Sequence, residues 1–269
     1  MRAISSFSEM IKSAPRKRII AAPEPGEKLD KVFAEMDKDG FNIDCQKDVD
    51  SEEAVKNAFI KMNNREGDIL VQGDISLELF WTLMQKEGLI TEKTSYVSIL
   101  ESKKLKKLLM VTDSYVNENP DLKKKINILD EVLAFAKNLG LDSPKVAALS
   151  AIESVNPAIL STIEGAALSK MADRKQLNGD IEGPLDIDTA LSSEAAKRKG
   201  IESHVPGEVD IFLTPDIEAG YALSQFMSFL GKMPIIGVLL GTPYPIVIHP
   251  SFVPIKYKKA EICAAAFNL

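Results

Sequence analysis

The stretch "VDIFLTPDIEAGYALSQ", Val209 to Gln225, decides the fold. Its first half, Val209 to Leu213, is β-branched and apolar, the composition of a buried strand. Its second half repeats apolar residues at helical spacing. Between them a turn carries two acids, Asp216 and Glu218, followed by Ala219 and Gly220. A strand that runs through a short polar turn directly into a helix is half of a βαβ unit. The acids then have two readings. They cap and bend the turn, or they face a ligand at the carboxyl end of a parallel strand, where open α/β sheets bind theirs.

Working outward, the same alternation recurs. "RKRIIAAP" (16–23) reads as a first strand, and "PGEKLDKVFAEMDKDG" (25–40) as a helix with Leu29, Val32, Phe33 and Met36 on one stripe. A short strand around "FNIDC" (41–45) precedes a helix capped by Asp50 or Ser51. "GDILVQG" (67–73) is a buried-type strand, and "ISLELFWTLMQKEG" (75–88) an amphipathic helix. Two strand-like runs, "TSYVSILES" (94–102) and "KKLLMVTD" (106–113), follow with no helix between them, which predicts a hairpin or a change of sheet. Beyond lie a long helix (120–140), the strand "SPKVAALS" (143–150), a helix entered at Asn156 as N-cap and Pro157 as first residue, and a shorter helix (191–200). The strand–helix pair of the opening stretch follows, and then the strands "PIIGVLLG" (234–241) and "YPIVIHP" (244–250). The expectation is an α/β chain with largely parallel sheets.

Composition narrows the function. The 269 residues are 45% hydrophobic and 27% charged, with a net charge of −6. An acidic balance argues against nucleic-acid binding, which calls for a basic face. The basic run "SKKLKKLLM" (102–110) is short and reads as a solvated turn. Two cysteines, Cys45 and Cys263, and two histidines, His204 and His249, offer no metal-ligand spacing. Reduced thiols fit a cytoplasmic protein. No apolar run approaches the ~20 residues of a membrane span, and the first strand is not followed by a P-loop or dinucleotide fingerprint.

By the strand-end rule the informative turns are "VTDSYVN" (111–117), "LSAIESVNP" (149–157) and the opening stretch. Asp113 and Asn117 flank the first and suit either capping or the orientation of a carbonyl or hydroxyl. Ser150 and Ser154 lie between a strand end and the helix entered at Asn156, where they either cap that helix or help its N-terminus hold an anion. Lys170 and Arg174 are one turn apart on that helix and form either a phosphate clamp or a solvated face, with Asp173 directed elsewhere. Asp216 or Glu218 suits a general base. These features define an anion-friendly α/β cleft.

A family resemblance is carried by "LLMVTDSYVNENPDL", "LSAIESVNPAILSTIEGAALSKMADRKQLNGDIEGPLDIDTALSSEAAKRKG" and "VDIFLTPDIEAGYAL", with "GDILVQG" upstream. The ordered set "VTD…N..PD", "NP", "ALSKMADR", "GPL" and "PDIEAG" resembles the phosphate acetyl/butyryltransferases, most of all the phosphate butyryltransferase branch, from about Arg18 onward. The resemblance implies a two-domain, three-layer αβα fold like that of isocitrate and isopropylmalate dehydrogenases, with a cleft between the domains. Residues 1–91 plus 245–269 would form one domain and 92–244 the other. It also implies transfer of a short acyl group such as butyryl between coenzyme A and phosphate. No cofactor is needed beyond coenzyme A as substrate, and homodimers or larger homo-oligomers are expected.

Several positions depart from the family pattern. Gln72 stands for a Lys, Tyr96 for a His, Glu182 for an Asp and Tyr221 for an Asn. The family's Ser-Arg pair after the last strand is matched by Pro250 and Ser251, or by Ser251 and Phe252 after a shift of one. The resemblance therefore assigns catalysis to Asp216, Ser251 and Glu261. It assigns substrate binding to Asp113, Asn117, Ser150, Asn156, Lys170, Arg174, Glu218, Gly220, Tyr221 and Lys256. Lys256, Lys258 and Lys259 either replace the missing positive charge or form a surface run. Three functions follow: an acyltransferase, a binding protein for acyl-CoA or a phosphorylated ligand on the same scaffold, or a different reaction on a dehydrogenase-like fold.

Overall fold

The computed structural model describes residues 3–46 and 50–268. In chain order the first elements are α1 (Phe7–Ser13), β1 (Arg18–Ala22), α2 (Glu27–Lys38), β2 (Asn42–Cys45), α3 (Ser51–Asn63), β3 (Ile69–Gln72) and α4 (Leu77–Lys86). The middle of the chain forms β4 (Ser95–Ser102), β5 (Lys107–Thr112), α5 (Leu122–Asn138), β6 (Lys145–Leu149), α6 (Leu160–Asp173) and β7 (Asp180–Leu185). Then come α7 (Ile187–Leu191), α8 (Ser193–Arg198), β8 (Ile211–Leu213) and α9 (Ile217–Phe229). The chain closes with β9 (Ile235–Leu240), β10 (Ile246–Val247), a 3-10 turn (Ile255–Tyr257) and α10 (Lys258–Ala265).

Two compact units result. One comprises the described residues of 5–94 and 234–268, the other those of 95–233 with Ala3 and Ile4. In the first unit the strand order is β2-β1-β3-β10-β9. β1 lies parallel to β2 and β3, β10 parallel to β3, and β9 antiparallel to β10. β9 therefore groups with the chain ends, and the units divide at 94/95 and 233/234, against the expected 91/92 and 244/245. In the second unit the order is β4-β5-β8-β6-β7. β4 and β5 form the expected antiparallel hairpin, and the remaining pairs are parallel. Its tip, Lys103 to Lys106, is exposed, as a solvated lysine turn should be.

Period-2 and period-3.6 patterns meet in the core of the first unit. Ile19 and Ala21 of β1 and Ile69 and Val71 of β3 face Leu29, Phe33 and Met36 of α2 and Ile262 of α10. Burying each of the larger chains contributes ~1.5–3 kcal/mol. Burial among them pushes the Cys263 thiol up to about 12, so it is no nucleophile. In the second unit α5 buries Leu129, Val132, Leu133 and Ala136, four of the five apolar residues expected on its inner stripe, while Ile128 is buried in place of the half-buried Ile126.

Three elements differ from expectation. "DIEGPL" forms β7, although Glu, Gly and Pro disfavour strands; it lies at a sheet edge, where proline is tolerated. α6 starts at Leu160, not after Asn156. Pro157 and Ala158 form a turn closed by Ile159 N–H donating to the Asn156 carbonyl at 2.9 Å, and the Thr162 hydroxyl also reaches that carbonyl at 3.0 Å. The lysine-rich segment after 255 forms a turn and a helix instead of a wholly exposed run.

Candidate functional site

β5 and β8 are parallel neighbours, so their carboxyl ends deliver Asp113 and Asp216 to one edge of the second unit. Asp113 is buried and folds the chain back on itself. Its Oδ1 accepts from the N–H groups of Tyr115 at 2.8 Å and Val116 at 3.0 Å, and its Oδ2 accepts from the Asn117 N–H at 3.3 Å and from the Asn117 side-chain amide. Burial pushes the Asp113 carboxyl up against the pull of these donors. Asp113 and Asn117 thus build the turn instead of reaching outward.

Asp216 caps α9, accepting from Ala219 N–H at 2.7 Å through Oδ1. Its Oδ2 makes no hydrogen bond to the described residues. The capping reading therefore holds for Asp216, and one carboxylate oxygen is left over from the cap. Glu218 is exposed in the first turn of α9. Gly220 is needed for close approach: a Cβ there would lie 2.2 Å from the Asp113 carbonyl oxygen. The Ile217 N–H donates to the Glu118 carbonyl at 3.0 Å, which ties the 113–119 turn to the start of α9. Tyr221 flanks this place; its ring lies 6.4 Å from Tyr115, which lies 5.5 Å from the fully buried Tyr96.

The turn after β6 is separate in its chemistry. Ser150 and Ser161 share a hydroxyl hydrogen bond at 2.8 Å, and the Asn156 side chain accepts from Ala158 N–H at 2.9 Å. Lys125 and Glu164 form a buried ion pair beside Ser161, Thr214 and Pro215. Lys170 and Arg174 do not join this group. They lie ten or more residues along α6, ~15 Å away at the rise of a helix. Lys170 pairs with Asp173 at 3.0 Å, so the expectation that Asp173 points elsewhere is corrected: i,i+3 spacing puts both on one face. Arg174 is exposed at the end of α6. As a clamp for the same phosphate as Ser150, the Lys170–Arg174 pair is on the wrong end of its helix.

Among the described residues one group of acids is close enough to share a cation, Glu153, Asp186 and Asp188. Lys199 occupies it, with Nζ 2.7 Å from Glu153 and 2.6 Å from Asp188 and bonded also to Asp186.

In the first unit the lysines after β10 take three different partners. Lys256 is exposed and lies 4.7 Å above the Tyr257 ring. Lys259 turns to Asp39 at 2.8 Å. Lys258 turns inward and donates to Glu261 Oε2 at 2.7 Å. Glu261 is fully buried, and its Oε1 accepts from the Gly237 N–H at 3.2 Å. Burial alone would push this carboxyl up, but Lys258 and His249 outweigh it and hold it below its usual range. Glu261 therefore cannot itself touch a substrate, which corrects its assignment as a directly catalytic group. Ser251 is exposed in the turn that follows His249. Sequence reasoning passed over His249 itself, whose Nδ1 lies 3.5 Å from Glu261 Oε2.

The geometry meets the known proteins as follows. Residues 14–250 match the family model described as phosphate acetyl/butaryl transferase. A phosphate butyryltransferase of Clostridium acetobutylicum is 37% identical over 79% of this chain and 71% of its own length. A phosphate acetyltransferase of Thermotoga maritima is 36% identical over 83% of this chain and 77% of its own. Among solved structures, a branched-chain phosphotransacylase from Enterococcus faecalis V583 aligns with a TM-score of 0.80 at 21% identity, covering 93% of this chain and 98% of that one. The fold is the α/β fold of the phosphotransacylases. The chain belongs to the phosphate acetyl/butyryl transferase family.

Proposed function

We propose that this protein transfers a short acyl group, such as butyryl, between coenzyme A and phosphate. The observation that carries the reading is the edge formed by the ends of β5 and β8. There an internally bonded Asp113–Asn117 turn is tied to the N-terminus of α9, and Asp216 offers one unused carboxylate oxygen beside it. Family membership supports phosphate and acyl-CoA as the reactants, and relatives named for butyryl and acetyl transfer support a short acyl group. Tyr221, with Tyr115 behind it, suits an apolar acyl chain. Within the second unit, Asp216 orients the reacting group and Ser150 and Asn156 mark an anion-friendly helix entry. Neither a metal nor a redox group is required for acyl transfer of this kind. Cys45 and Cys263 form no disulfide, which suits a cytoplasmic setting.

A second reading, a family member that binds acyl-CoA without turnover, is favoured by one observation. No arginine follows β10, and Lys258 and Lys259 are committed to Glu261 and Asp39. The experiment is release of coenzyme A from acetyl-, butyryl- and hexanoyl-CoA in phosphate, with melting curves in coenzyme A and phosphate. Turnover supports the transferase. A raised melting temperature without turnover supports the binder, because a ligand of the folded state stabilises it.

A further inference from the structure

β10 runs parallel to β3, with Val247 opposite Val71, so the chain leaves β10 beside Gln72 at the carboxyl edge of this sheet. Gln72 Oε1 accepts from the His249 N–H at 2.8 Å, and Gln72 Nε2 donates to the Ile75 carbonyl at 2.8 Å. The backbone at His249 is therefore held from β3. Its imidazole is 16% exposed, yet both ring nitrogens are covered and neither makes a hydrogen bond with the described residues. Leaving a buried polar group unpaired costs ~1–3 kcal/mol. A structural histidine would have been replaced or bonded at little cost, so the ring calls for a functional explanation.

Glu261 supplies one. Its carboxylate is immobilised by Gly237 and Lys258 and faces Nδ1. A carboxylate on that side favours the tautomer with the proton on Nδ1 and the lone pair on Nε2. Lys258 keeps the carboxylate charged, as burial alone would not. The arrangement is acid, imidazole and a nitrogen without a hydrogen bond, the order that makes a proton acceptor once the ring edge is uncovered.

We propose that His249 Nε2 accepts the thiol proton of coenzyme A in this protein, with Glu261 and Lys258 as the positioning residues. The proposal rests on the acyltransferase reading. In the direction that consumes acyl phosphate, the S–H proton passes to Nε2 as sulfur attacks the carbonyl carbon. The C–S bond forms, the C–O bond to phosphorus breaks, and phosphate leaves with that electron pair. The imidazolium then returns the proton to phosphate. Because Nε2 is covered in the free protein, binding must open the ring edge. The charged groups acting on the ring are Glu261 and Lys258, both from α10, while β3 contributes only the neutral Gln72. Burial holds the imidazole below its ordinary 6.5, so it is neutral and able to accept at pH 7.

The test uses the full chain. Wild-type kcat/KM falls as pH drops below about 6.5, the ordinary value for an imidazole. H249Q loses about 100-fold, the scale of a lost proton-transfer group, and its acid limb disappears. E261Q keeps the limb but shifts it. Because either variant can fold poorly, imidazole nitrogen spectra of the wild-type protein provide a second readout. Its two histidines give two signal sets, one of them His249. The His249 set shows the Nδ1–H tautomer at neutral pH and moves on addition of coenzyme A, while the exposed His204 does not. An H249Q enzyme with wild-type activity and pH profile overturns the role of His249 and leaves the transferase standing. An Nε2–H tautomer, or a His249 signal indifferent to coenzyme A, also overturns it. A wild-type protein that turns over no acyl-CoA overturns the transferase reading, and this proposal with it.

Discussion

Lys258 shows how one side chain governs a buried charge. Glu261 has no solvent, so its ionisation depends on the ammonium 2.7 Å away. Removing one partner of such a pair strands the other, so K258M should destabilise the protein by ~3–5 kcal/mol in urea unfolding. A smaller change would mean that water reaches Glu261. The two depressed groups also set an acid response. His249 lies below 6.5 and Glu261 below 4.5 in the folded state, so their stabilising effect is complete above those values. Stability then falls as pH drops below 6.5, and falls again below 4.5. Between pH 6.5 and 5, H249Q should lose less stability than the wild type, which equilibrium unfolding at each pH checks. At this scale the sequence was only partly legible. Asp216 announces itself by its turn, whereas a lone histidine before Pro250 carries no pattern. Its partner lies 12 residues on, across a loop and on a helix that the lysine run disguised.

Elements were more legible, because periodicity reports burial directly. The strand–helix alternation, the lysine-tipped hairpin and the stripe of α5 follow from apolar spacing. β7 escaped because edge strands tolerate residues that interior strands reject. The start of α6 escaped because Asn156-Pro157 suits a turn as well as a cap, and Thr162 decided the matter from within the helix. Gly220 was read from family resemblance, but its reason is the approach of α9 to the β5 turn. G220A gains ~1 kcal/mol of helix propensity and meets the Asp113 carbonyl at 2.2 Å. Overpacking of that kind costs ~1–3 kcal/mol and sometimes more. We expect G220A to melt lower and to bind acyl phosphate more weakly; a variant that melts higher would show that α9 is free to move away.

At the scale of the molecule, the distribution of apolar surface points to assembly. Phe226, Phe229 and Leu230 at the end of α9 are 63%, 83% and 64% exposed. Adjacent large apolar chains left in water are the kind of surface that oligomers cover. The homodimer expected from family resemblance should therefore weigh twice the chain mass by light scattering, and F229D should shift it toward the monomer. A wild-type monomer at micromolar concentration would contradict this. The hairpin that interrupts the alternation suggested a division of the chain near residue 92, whereas the second division had no such mark. Nothing in "PIIGVLLG" reveals that this strand turns back antiparallel to β10. Which polar groups survive the loss of the Ser-Arg pair was likewise illegible, since the lysines and Glu261 acquire their roles only from packing. The central claim concerns that loss directly: the site still moves an acyl group. The decisive measurement is coenzyme A release by the purified protein from C2 to C6 acyl-CoA, with and without phosphate. The account predicts phosphate-dependent release, highest for a short chain such as butyryl. Release no faster than the phosphate-free background across the whole series would contradict it.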